Sequence, residues 1–290
     1  MSNIKKRLLM SIAAVSVASW THPARADVVD LSPTADNTVY QFDPTTGEFP
    51  TSNGIGFHMF CGNNLHGQAR RGLLRFSIAD SIPQGSTISS ASLRLSMSRT
   101  IAGPTTVKLH RAAASWGEAA SQGVSGEGGG GDPAPGDAEW RNRFHPNVPW
   151  ANVGGDFSST VSASQIVAAE EFYTFTGPGM AADVQACLDA PANDFGWFII
   201  GDESDSPTAK AFDSREHPLP EYRPVLYIEF TPPDMGCVGD YNQDGGVDGA
   251  DVQSFFEDWE GGNAAADLNQ DGGVDGADVD FFFGHWEAGC

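Results

Sequence analysis

Apolar and polar residues alternate along much of this chain. Leu74, Phe76 and Ile78 are separated by Arg75 and Ser77; Ala91, Leu93, Leu95 and Met97 by Ser92, Arg94 and Ser96; Leu226, Ile228 and Phe230 by Tyr227 and Glu229. A period of two sends successive side chains to opposite faces, so these stretches predict strands with one face on a core and one in water. Residues 197–200, Trp-Phe-Ile-Ile between Gly196 and Gly201, are continuously apolar and predict a strand covered on both faces. Met180, Val184 and Leu188 recur at helical spacing before Pro191 and predict one short helix. Turn clusters such as Pro83-Gln84-Gly85 separate the strands, and together they predict an all-β sandwich, jelly-roll-like, over residues 27–231. Residues 123–137 hold four consecutive glycines and two prolines, which predicts a mobile loop without regular structure.

The pattern changes after a Pro-rich linker at residues 232–236. Val252, Phe255, Phe256 and Trp259 stand at i, i+3, i+4 and i+7, and Val279, Phe282, Phe283 and Trp286 repeat them, which predicts two short amphipathic helices in a small domain, residues 237–290. Before each helix lies one loop written twice: residues 240–252 recur as 267–279 with a single change, Tyr241 to Leu268. Each copy puts oxygen-bearing side chains at loop positions 1, 3, 5, 9 and 12, a glycine at position 6 and a backbone carbonyl at position 7, the spacing by which a twelve-residue loop wraps a hard cation. The candidate ligands are Asp240, Asn242, Asp244, Asp248 and Asp251 with the Gly246 carbonyl, then Asp267, Asn269, Asp271, Asp275 and Asp278 with the Gly273 carbonyl. The loops contain no His or Cys, so two calcium ions are expected rather than zinc.

A loop-then-helix unit used twice resembles the dockerin module, in which paired F-hand calcium loops pack about a pseudo-twofold axis. That resemblance implies a cohesin-like protein partner. In type I dockerins positions 10 and 11 help contact the cohesin, often through hydroxyls; here they are Gly249-Ala250 and Gly276-Ala277.

Charge agrees with this division. The chain has 290 residues, 38 acidic and 16 basic side chains and a net charge of −22, which argues against any charge-driven contact with nucleic acid. Residues 234–290 contain 14 of the acidic side chains and no Lys or Arg. At the other end, Lys5, Lys6 and Arg7 precede an apolar stretch from Leu8 to Trp20 and Ala24-Arg25-Ala26, the three parts of a secretory signal covering residues 1–26. The apolar stretch is too short to span a bilayer, so a secreted, extracellular or cell-surface protein without a transmembrane segment is expected. Disulfides persist in such a compartment. Cys237 and Cys290 bracket the repeat, whose pseudo-twofold would bring its ends together, so a clasp between them is favoured. Cys61 and Cys187 are either a second bridge or two buried free thiols.

Residues 27–231 resemble the DNRLRE-type modules, secreted β-sandwich domains related to carbohydrate-binding modules. The matching stretches include Ala35-Asp-Asn-Thr-Val39, Arg70-Arg-Gly-Leu-Leu-Arg-Phe76, Ser115-Trp-Gly-Glu118, Phe195-Gly-Trp197 and Ala209-Lys-Ala-Phe-Asp-Ser-Arg-Glu216. The resemblance implies a sandwich fold, and some members of the family bind acidic polysaccharides, so a polysaccharide is the expected ligand. A sugar-binding surface needs aromatic faces for pyranose rings and charged groups for hydroxyls and carboxylates. Trp116, Trp140, Phe144 and Trp150 with Arg141 and Arg143 are the best local concentration, and Lys210 and Arg215 would add charge; for Trp116 a place in the core is the competing reading. Glu118, Glu139, Asp202 and Glu203 supply carboxylates for a glycosidase pair, but no nucleophile elbow or metalloprotease helix accompanies them. The expectation is a secreted, non-catalytic polysaccharide-binding or surface protein with a calcium-dependent docking module. The alternatives are a polysaccharide-degrading enzyme and a structural surface protein.

Overall fold

A computed structural model describes residues 26–124, 126–233 and 236–289. Apart from Ala26, the expected signal segment lies outside the described residues. Thirteen strands are present among these residues: β1 (Asp27–Leu31), β2 (Ala35–Tyr40), β3 (His58–Asn63), β4 (Ala69–Arg75), β5 (Thr87–Thr100), β6 (Thr105–Arg111), β7 (Asn142–Phe144), β8 (Val148–Pro149), β9 (Ala163–Val167), β10 (Phe172–Thr176), β11 (Trp197–Ile200), β12 (Lys210–Asp213) and β13 (Val225–Thr231). Three α-helices accompany them: α1 (Pro178–Asp189), α2 (Gly249–Glu260) and α3 (Gly276–Ala288). The fold is antiparallel, β-rich and sandwich-like. Its large sheet runs β1-β13-β5-β12-β3-β4-β11-β6-β9, with β10 paired to β5 and β2 to β4.

The 14-residue β5 organises the sheet because it pairs with β13, β10 and β12 along its length. Register sets Ala91 opposite Ile228, Leu93 opposite Leu226 and Phe175, and Met97 opposite Phe212. The alternation read from the sequence thus becomes cross-strand apolar pairs on one face. All of these side chains belong to one buried core, which α1 caps with Met180, Val184 and Leu188. The β4 strand ends at Arg75, yet Phe76 and Ile78 continue into the same core from the turn that follows.

The apolar run of β11 is explained by the two layers on either side of it. Trp197 and Ile199 face the main core, while Phe198 and Ile200 face a second cluster with Trp116, Trp140 and Trp150. The second cluster exists because the irregular chain between β6 and β9 folds back over the sheet.

The described residues of 123–137, all but Ser125, are irregular, as expected, but they are tied down. Tyr40 Oη donates to the Glu127 carbonyl, the Glu127 carboxylate accepts from the backbone amides of Phe57 and His58, and Gly131 exchanges backbone hydrogen bonds with Ser52. Asp137 is fully buried and accepts from Ala119, Ser121 and Ala134 amides. The glycines let this backbone run close to the sheet, and polar anchors then hold it; composition alone suggested mobility. Cys61 and Cys187 are buried free thiols, so no bridge ties β3 to α1.

Gly196 turns the chain into β11 with φ of +73°, and a Cβ there would lie 2.0 Å from the Leu74 carbonyl oxygen. Its own carbonyl accepts from Ala112, which blocks retreat. Gly196→Ala is expected to cost about 2–3 kcal/mol, lowering the melting temperature of the β region by roughly 5–10 °C in a thermal scan.

Candidate functional site

The repeated loops fold almost identically. Asp248 is the N-cap of α2 and Asp251 its third residue; together they close a capping box, with Asp248 N–H donating to Asp251 Oδ2 at 2.8 Å. Asp275 and Asp278 do the same for α3 at 2.9 Å. Asp251 and Asp278 are fully buried, and each accepts a second amide, from Asn242 and Asn269, at 3.1 Å. The first aspartate of each loop accepts the amide of the glycine at position 6, Gly245 or Gly272, whose φ values are +93° and +91°. A side chain at position 6 would be strained, so the repeated glycine is a conformational requirement.

These bonds gather loop amides onto carboxylates and leave the remaining lone pairs for something else. Asp267 Oδ1 is buried with no hydrogen-bond partner. The backbone amide of Asp248 holds the Asp251 carboxyl below the usual carboxylate range, so it stays a charged acceptor. Four carboxylates per loop, without Lys or Arg in the sequence beyond residue 233, form an all-oxygen, negatively charged donor set of the kind that suits a hard divalent cation. In the described conformation neither loop brings three acidic oxygens within 4.8 Å of one another.

The two units pair reciprocally. Phe255 of α2 and Phe282 of α3 are fully buried and stacked, with centroids 4.4 Å apart and planes 9° from parallel. Trp259 Nε1 donates to the Asp275 carbonyl at 2.8 Å, and Trp286 Nε1 donates to the Asp248 carbonyl at 2.9 Å. Each helix is thereby fastened to the other unit's loop. Tyr241, the one position that differs, fits edge-on to both stacked rings and donates to Asp258. Gly249, Ala250, Gly276 and Ala277 are all exposed. Cys237 is not one of the free thiols, and Cys290, its expected partner, lies outside the described residues.

In the β region the structure places the expected aromatic surface indoors. Trp116, Trp140 and Trp150 are 1%, 7% and 4% exposed. The indoles of Trp116 and Trp150 donate to the carbonyls of Phe195 and Glu139, and the Arg71 guanidinium covers Trp140 at 4.9 Å from its centroid. No face of these rings is left for a sugar, because the irregular chain that carries them is itself the second core layer. Lys210 is also buried, its Nζ donating to Thr100 Oγ1 and to the carbonyls of Ala102 and Gly103. Arg143 is bound to Ser115, Arg141 lies over Phe42, and Arg215 is paired with Glu118 and Glu216. Of the carboxylates considered for catalysis, Glu139 is buried against Arg141 and Asn142, Glu203 is paired with Arg71, and Asp202 caps its own turn at Ser204.

A groove of about 430 Å³ instead opens beside β10, lined among others by Phe172, Leu219, Tyr222, Glu171, Asp213 and His217. Phe172 and Tyr222 stack 5.7 Å apart at 11° while remaining 47% and 37% exposed. The Arg94 guanidinium lies 5.1 Å from the Phe172 centroid. Asp213 is buried at the groove's edge between His58 and His217, whose Nε2 atoms are 3.7 and 3.9 Å from its Oδ1. One signal for this site was present in the sequence: in Phe-Tyr-Thr-Phe-Thr of β10, Phe172 occupies the outward phase otherwise held by threonines. Its partner Tyr222 is 50 positions away, and only the fold joins them.

No family model matches this chain, and no curated protein matches it.

Proposed function

We propose that this is a secreted, non-catalytic polysaccharide-binding protein: a jelly-roll β domain, residues 27–231, holds the glycan, and a dockerin-like module, residues 237–290, docks it to a cohesin-like protein. The observation that carries the reading is the pair of matching loop-helix units fastened reciprocally through Trp259 and Trp286. Two calcium ions would be held by residues 240, 242, 244, 246, 248 and 251 and their repeats, with the Cys237–Cys290 clasp closing the ends. Calcium would supply charge neutralisation there, and the loops' own residues do the positioning: the glycine turns, the capping boxes and the amide bonds to Asp240 and Asp267 orient the donors. The exposed Gly249-Ala250 and Gly276-Ala277 edges, each next to an exposed aspartate, Asp248 or Asp275, would form the docking face.

For the glycan, the groove beside β10 replaces the buried tryptophans as the supported surface. Two stacked, exposed rings present a platform for a pyranose face, with Glu170, Glu171 and Asp213 along the groove as acceptors for sugar hydroxyls and Arg94 beside Phe172 as the nearest cation. Retention on immobilised acidic and neutral polysaccharides, with reducing-sugar release measured in parallel, tests this. Phe172→Ala with Tyr222→Ala is expected to weaken retention on an acidic polysaccharide about tenfold, corresponding to about 1.4 kcal/mol, with no sugar released. Release of reducing ends would make the protein an enzyme instead, and unchanged retention would remove the groove from the binding site.

A further inference from the structure

We infer that the β region carries a divalent-cation site of its own, separate from the repeated loops, formed by Asp36, Glu118 and Glu216 and suited to calcium. The three residues come from distant parts of the chain. Asp36 lies in β2, Glu118 in the irregular chain beyond β6, and Glu216 just past β12. One oxygen from each lies within 4.8 Å of the others, and among the described residues no other group of three acidic, His or Cys side chains does this. That span is about twice a Ca–O distance of 2.4 Å, the separation of donors on opposite sides of one calcium ion.

The second observation concerns oxygens left over once the local bonds are assigned. Asp36 is fully buried; its Oδ2 accepts the Arg215 amide at 2.8 Å, while its Oδ1 has no partner. Glu216 Oε1 is paired with Arg215 Nη2 at 2.9 Å, and its Oε2 is buried without a partner. Glu118 is held bidentately by Arg215, at 3.2 and 2.9 Å, and also accepts the Asp36 amide. A buried carboxylate oxygen with nothing to accept from is expensive to maintain, so each orphan points to an absent partner.

Charge gives the same answer. Arg215 faces all three carboxylates and the charge of Arg223 reaches Glu216 as well, so the carboxylates outnumber the guanidinium groups and leave a net negative charge for a cation to meet. The donors are all oxygen, which favours a hard ion over zinc. Burial, with the charge of Glu216 next, pushes the Asp36 carboxyl well above its ordinary range, and burial raises Glu216 too; a proton is therefore the rival occupant. The cation would join β2, the segment beyond β6 and the turn after β12, where Arg215 and the Asp36 amide bond to Glu118 already bring the three together.

The site does not depend on the loop reading, and a direct count separates the two. Full-length protein stripped with chelator is dialysed against calcium chloride, and bound calcium per chain is measured by elemental analysis for the wild type, Asp36→Asn and Glu216→Gln. Both variants are expected to bind one calcium fewer than the wild type, three falling to two if the loops are filled. An Asp240→Ala/Asp267→Ala chain should retain one ion, lost on adding Asp36→Asn. Equal counts in wild type and both variants would show that a proton occupies the cluster and would overturn the proposal. Glu216 is only partly buried, so its variant keeps the test valid if Asp36→Asn fails to fold.

Discussion

Chelation of calcium is expected to melt the C-terminal module while leaving the β region folded. The reason lies in how little else holds residues 237–289 together. The module's fully buried apolar side chains are Phe255, Ala266 and Phe282, with Val238 close behind, a core too small to offset chain entropy without added help. Each loop meanwhile confines four carboxylates, and nothing basic lies nearby except His285 in the last turn of α3. An ion that binds only the folded state adds about 2.7 kcal/mol at a hundredfold excess over its Kd, so two sites add about 5 kcal/mol. That is comparable to the whole stability of a domain this small. Circular dichroism should report the loss strongly, because α2 and α3 supply 25 of the 37 α-helical residues described. EGTA should remove most of the helical signal and change the fluorescence of Trp259 and Trp286, and excess calcium should restore both. A helical signal and melting curve indifferent to EGTA would end the calcium assignment.

The strands were legible in the sequence wherever one face alone meets a core. In β5 and β13 the alternation of Leu93, Leu95, Leu226 and Ile228 with polar residues became the observed register. The continuous run of β11 was equally informative, since only a strand with cores on both sides tolerates four apolar residues in succession. The helix seen in Met180, Val184 and Leu188 is α1, and those three residues with Cys187 are its buried face.

What composition concealed was the role of the irregular chain between β6 and β9. Periodicity carries no information where the backbone has no period, so Trp116, Trp140 and Trp150 looked like a platform when they are a second core. The same blindness covers tertiary chemistry. Residue spacing pointed to the repeated loops because their candidate ligands are local, all within twelve positions. The Asp36, Glu118 and Glu216 cluster is spread over 180 positions of sequence, and no local pattern announces it. The Phe172 and Tyr222 stack is hidden for the same reason.

Phe255→Ala should unfold the same module by the opposite route, with calcium present. Phe255 is fully buried, stacked on Phe282 at 4.4 Å, and met edge-on by Tyr241 at 5.6 Å and Phe256 at 5.4 Å. Removing the ring deletes one half of the central stack and leaves a cavity that two short helices cannot close without separating Trp259 and Trp286 from their carbonyl acceptors. Such truncations cost about 3–5 kcal/mol in cores with far more surrounding structure. With two calcium ions bound to the folded module alone, each tenfold rise in calcium would supply about 2.7 kcal/mol, so the variant should need calcium raised by one to two orders of magnitude to recover its helix. Phe256→Ala, at a half-buried position on the same helix, is expected to cost about 1 kcal/mol and shift the calcium midpoint less than tenfold. Calcium titrations followed by circular dichroism measure both. If Phe255→Ala and Phe256→Ala shifted the midpoint equally, the stacked pair would not be the hinge on which the two units close, and the reciprocal tryptophan bonds would have to carry the association alone.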